Sequence, residues 1–76
     1  MNRHDFDMAI ERRDEHISTM RYLSHQADST EQAILHYENL NADDMVKLNE
    51  AISLIREVAD RHDEKARELN EEYGPL

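Results

Sequence analysis

The sequence predicts an all-α protein: two or three helices folded as an antiparallel hairpin or bundle, dimerising into a helical bundle with a coiled-coil-like seam. Three observations carry that expectation. Met45, Leu48, Ile52, Ile55, Ala59, His62, Ala66, Leu69 and Tyr73 recur at alternating steps of three and four, a spacing that only an α-helix gathers on one side. Neither Gly nor Pro occurs between Met1 and Tyr73, so nothing in the backbone forces a break. With one Phe, three Tyr and no Trp, core filling falls to Leu, Ile, Val, Met and Ala, while charged residues make up 36% of the chain, which suits solvated helices.

The first element is expected over about residues 4–26, where Phe6, Ile10, Ile17, Met20 and Ala27 follow the three-four alternation with Arg13 and Ser24 at the intervening positions. A second helix over 29–40 is suggested by Ala33, Ile34, Tyr37 and Leu40, and by the capping-box spacings Asp28-x-x-Glu31 and Ser29-x-x-Gln32. The competing arrangement is a hairpin of two long helices turning near Asn41. The last helix, about 42–73, has the clearest ends. Asn41 can cap it, Asp43 and Asp44 oppose the helix dipole in its first turn, and Leu40 and Met45 occupy the two positions of a hydrophobic staple. Gly74 and Pro75 stop it. Beside its main stripe, Ala51, Leu54 and Val58 form a second one, and a helix apolar over that much of its circumference is expected to meet more than one neighbour.

The segment Leu40-Asn41-Ala42-Asp43 resembles the turn of the Rop proteins, small plasmid-encoded RNA-binding hairpins that dimerise into four-helix bundles. The resemblance covers one turn's worth of residues and implies an architecture. The basic RNA-contacting surface that accompanies that function has no counterpart here, so the activity does not carry over.

At 76 residues the chain is a single domain, 1–76, with a short tail at 74–76, and it is small enough that oligomerisation is the available extra source of stability in the absence of cysteines. The formal charge of −9 comes from 18 acids against 9 Lys and Arg, shared as 8 against 4 over residues 1–40 and 10 against 5 over 41–76. Direct nucleic-acid binding and anionic membranes are poor partners for that surface. No apolar run approaches the ~18 residues of a membrane span, and Met1 to Arg13 lacks the apolar stretch of a signal peptide. A cytoplasmic location is expected.

Chemistry is scarce. No Glu-x-x-His or His-x-x-x-His occurs; His4 and His25 have Asp7 and Asp28 at i+3, and His16, His36 and His62 have no acid or second histidine three or four residues away, so no metal site is expected. Ser18, Ser24, Ser29 and Ser53 fall in or beside helices, without the sharp loop of a catalytic serine, and one glycine cannot build a phosphate loop. Neither enzyme activity nor a cofactor is expected. His62 stands where an apolar residue belongs. It is read as a polar residue at the edge of the core, bonded to water or an acid, with the alternative that it faces its own copy in a dimer and parts the helices on protonation at about pH 6. Arg13, on the N-terminal seam beside Arg12, is read as a boundary residue whose stem packs while its guanidinium reaches water or a carboxylate.

Two surfaces carry the functional expectation. Met45, Leu48, Ile52, Ile55, Ala59, His62 and Leu69 are the self-association residues. Glu57, Asp60, Glu64, Glu68 and Glu71 recur at three- and four-residue steps on the outer face of the last helix, with Asp7, Glu11 and Asp14 or Glu15 doing the same on the first. Such rows are commonly just solvated helix faces, and Glu57–Arg61 and Asp63–Arg67 have the spacing of ordinary stabilising pairs. The function expected is a non-catalytic, acidic, protein-binding helical module: a small inhibitor or regulator of the kind phages and mobile elements encode, occupying a surface of a protein partner, with a nucleic-acid-processing enzyme and DNA mimicry as the specific form. The alternative is a structural subunit, adaptor or chaperone docking through helix 42–73. A third class, a pH or metal sensor, would be built on His62.

Overall fold

The structure, a computed structural model, describes residues 3–74. The chain is a helical hairpin: α1, Arg3–His36, and α2, Ala42–Tyr73, joined by a short turn. His16 meets His62, while Asp28 and Glu31 meet Arg56, so the two helices run in opposite directions along a rod of 57 × 15 × 14 Å.

The expected division of the N-terminal half into helices 4–26 and 29–40 does not occur, because α1 runs unbroken through 27–29. Polar side chains at this stretch, the cap candidate Asp28 among them, are used otherwise. Asp28 accepts a hydrogen bond from Arg56 of α2, and Thr30 donates from Oγ1 to the carbonyl of Gln26 at 2.9 Å, the back-bonding of a residue inside a helix. α1 ends at His36 rather than Leu40, its last turn extended by a bond from the Tyr37 amide to the Ala33 carbonyl.

α2 begins and ends where its local signals place it. Asn41 Oδ1 accepts from the Asp44 amide at 2.7 Å, and Asp44 returns the bond to the Asn41 amide at 3.2 Å, a reciprocal cap that satisfies two donors at once. At the far end Gly74 has φ 80°, the only positive φ among the described residues and one that a side chain would resist. Pro75 lies outside the described residues.

The core is thin. Ala9, Ala27, Ile52, Ala59 and Ala66 are the buried apolar residues among those described, so four of the five are alanines that let the helix backbones approach closely. On α2 the other positions of the three-four stripe, Met45, Leu48, Ile55, His62, Leu69 and Tyr73, are half-buried, and α1 is the element that covers them. On α1 the face turned to α2 is wider than the stripe expected from sequence. Phe6, Ile10, Arg13, Ile17, Met20, Ser24 and Ala27 are all buried or half-buried, and so are Ala9, His16, Leu23 and Thr30, which repeat every seven residues between them.

Candidate functional site

One contact between side chains of different helices lies where each helix places a histidine in its packed face. His16 and His62, 46 positions apart, approach Nδ1 to Nδ1 at 2.8 Å. Their ring centres are 5.1 Å apart and their planes tilted by 36°. The centre-to-centre distance exceeds the nitrogen-to-nitrogen distance by 2.3 Å, the sum of the two nitrogen-to-centre distances in such rings. Both nitrogens therefore lie close to the line joining the centres, the arrangement of an N–H aimed at a lone pair.

That contact needs one proton between the two nitrogens: one ring carries Nδ1–H, and the other offers a bare Nδ1 with its hydrogen on Nε2. Desolvation against the neighbouring helix is the main cause that holds His62 below the ordinary value of 6.5, and the positive charges available to His16 and Arg61 add to it. Neither ring pairs with a carboxylate among the described residues. His62 is half-buried at the edge of the core. Its partner is His16 of the same chain. His16 lies outside the N-terminal stripe that runs through Ile10, Ile17 and Ser24. The signal that reaches it is the parallel alternation Phe6, Ala9, Arg13, His16, Met20, Leu23, Ala27, Thr30, Ile34, which also passes without interruption through 27–29.

Nearer the turn the helices are tied by charge. The Arg56 guanidinium donates to Glu31 at 2.9 Å and to Asp28 at 3.3 Å, and these two bonds, Glu31 first, raise its already high pKa. Arg13, half-buried with its side chain 18% exposed, bonds Asp14 through Nε and an Nη.

The acidic row of α2 is presented outward. Glu57, Asp60, Glu64, Glu68 and Glu71 are all exposed, and of these Glu68 is held by Lys65 at 3.2 Å. The expected pair Asp63–Arg67 forms at 2.9 Å, whereas Glu57–Arg61 is not an ion pair among the described residues. On α1 the corresponding Asp7, Glu11, Asp14 and Glu15 are likewise exposed, with Glu11, Asp14 and Glu15 bordering a shallow depression together with Ser18 and Thr19.

Other features offer less. A cleft of 220 Å³ at the open end is bordered by His4, Asp5, Met8, Ala9, Arg12, Leu69 and Tyr73. Among the described residues no three histidines or carboxylates converge to hold a metal ion, and no helix is long and apolar enough to cross a membrane. Ser18, Ser24, Ser29 and Ser53 all lie within helices. Comparison with protein-family models, with curated proteins and with solved structures gave no match.

Proposed function

We propose that this chain is a non-catalytic helical module that binds a protein partner through its acidic face, acting as a small inhibitor or regulator. The observation that carries the reading is the outward row of α2: among its five exposed carboxylates, Glu57, Asp60, Glu64 and Glu71 form no ion pair within the described chain. Charges left without an internal counter-ion, held in line on a 32-residue helix, suit a basic surface on another molecule. A nucleic-acid-processing enzyme is the partner class proposed, since its cleft is built for a line of negative charge, which DNA carries at one charge per ~1.7 Å of axis.

The same proposal includes a homodimer. A hairpin with one buried isoleucine and four buried alanines leaves Met45, Leu48, Ile55 and Leu69 half-covered, and Leu54 and Val58, four residues apart on one face, stand 56% and 40% exposed. A second copy laid against this side would complete a four-helix bundle and supply the apolar burial that so small a chain lacks. Leu54 and Val58 also favour the second reading, a structural subunit or adaptor that docks through α2.

Salt and charge separate the readings. Capture of a protein from a lysate of the source cells should be strong for the wild type at about 0.05 M salt, lost at about 0.5 M, and lost in Glu57→Gln/Asp60→Asn/Glu64→Gln/Glu71→Gln at either. Capture indifferent to salt and to those substitutions, but abolished by Leu54→Asp, would replace the acidic-face reading with the docking subunit. Sedimentation of the wild type beside Leu54→Asp/Val58→Asp tests the dimer, and a monomeric wild type would reject it.

A further inference from the structure

We propose that the Nδ1-to-Nδ1 contact of His16 and His62 is a one-proton clasp that holds the open half of the hairpin closed at neutral pH and releases it on acidification. The geometry supplies the mechanism. With one proton between them the rings share a hydrogen bond 2.8 Å long whose axis runs along the line of their centres. A second proton converts the same approach into two N–H groups pointed head-on, each on a cation, and the contact turns from attractive to repulsive without any other change.

The surroundings offer the extra charge little shelter. On α1, His16 itself faces His62, with Glu15 next to it in sequence, Arg12 and Arg13 one turn before and Thr19 one turn after; Arg13 is engaged with Asp14. On α2 the flanking groups are Arg61, Asp63 and Lys65, with Asp63 bonded to Arg67 and Lys65 to Glu68. Neither imidazole forms an ion pair with a carboxylate among the described residues. Packing on this half is thinner: the fully buried residues are Ala9, Ala59 and Ala66, Phe6, Ile10, Ile17 and Leu69 are only half-buried, and Asn70 Oδ1 is buried without a hydrogen-bond partner. The half near the turn keeps Ile52, the Arg56 bonds and the Asn41 cap, none of which depends on a histidine. Opening is therefore local to the end that carries the termini.

The linkage has a definite sign. Burial against α1, then the charges of His16 and Arg61, hold the His62 proton less tightly in the folded chain than the 6.5 of an unperturbed imidazole. Between the folded value and 6.5 the unfolded chain binds more protons, so this contribution to stability is whole above 6.5 and is lost as pH falls toward the folded value.

Imidazole ¹⁵N spectra and amide hydrogen exchange test the clasp. At about pH 7.5 one of the two rings should be the Nδ1–H tautomer and the other Nε2–H. In acid, once the ¹⁵N shifts show both rings doubly protonated, amides of residues 59–70, corrected for intrinsic rates, should exchange faster relative to those of 45–56 than they do at about pH 7.5. The variant His16→Gln/His62→Gln should show no such pH response. Two Nε2–H rings at neutral pH, double protonation of the wild type without faster exchange, or an equal response in the variant would each overturn the proposal. The first two are read on the wild type alone, so they decide the matter even if the variant does not fold.

Discussion

Near the turn, between Ala27 and Arg56, α1 and α2 are held by side chains with reach. Ile52 is buried, Met45, Leu48 and Ile55 pack beside it, and Arg56 spans to two carboxylates of the opposite helix. Toward the termini the fully buried positions are the alanines at 9, 59 and 66, with Phe6, Ile10, Ile17, Leu69 and Tyr73 half-covered beside them, and the polar contacts are one imidazole pair and an asparagine whose buried oxygen finds no donor. The contrast shows that uniform helix geometry does not imply uniform cohesion. Large aliphatic side chains bring apolar area out of water, which scales with stability, whereas alanine contacts permit close approach but contribute little area. The turn-proximal half is therefore expected to be the firmer of the two, and the distal half the one that opens first.

The largest effect should come from removing the one large buried side chain. Ile52→Ala is expected to cost roughly 2–4 kcal/mol in urea unfolding, enough to unfold a hairpin this small. The same kind of truncation in the distal half should do far less, so a comparable loss from Leu69→Ala would break the comparison. Enlarging the distal contact should hurt more than trimming it. Ala66→Leu, at a position only 4% exposed, is expected to force the helices apart at a cost of about 1–3 kcal/mol, with faster amide exchange confined to the terminal half. Asn41→Ala removes the side-chain half of the cap, the bond from the Asp44 amide to Asn41 Oδ1, and should cost about 1 kcal/mol, visible as fraying at Ala42 to Met45 in carbonyl and Cα chemical shifts. Asn70→Leu should move in the opposite direction, raising the midpoint of thermal unfolding by removing an unsatisfied buried acceptor. Smallest of all is Arg56→Met: its partners are exposed, and the slight loss should vanish at about 0.5 M salt, where such pairs are screened.

The readable parts of this molecule are those in which cause and effect lie within a few residues. Asn41 and Asp44 are three apart, Gly74 follows directly on the last helical turn, and the stripe from Met45 to Tyr73 repeats on one helix; each was legible as sequence, and each stands where it was expected. Asp28 and Ser29 had equally good local credentials as a helix start, yet the helix runs through them. A cap is one option for an Asp side chain, and a guanidinium from a residue 28 positions away is another that no local window displays. His62 is an exception within its stripe, but its partner is not marked out in sequence, because α1 carries two equally regular series, one through Ile10 and Ile17 and one through Ala9 and His16.

By itself the sequence determined that the chain is helical, where α2 starts and stops, which face of α2 is packed, and that its outer face is acidic, all consequences of local capping chemistry and a repeat near 3.5 residues. Only the tertiary structure decided that α1 is a single helix, that Asp28 and Glu31 serve Arg56 rather than a cap, and that His16 and His62 share one line. Those outcomes depend on the register in which two helices lie against each other. Register follows from the sum of weak contacts along the whole interface, so no single motif announces it.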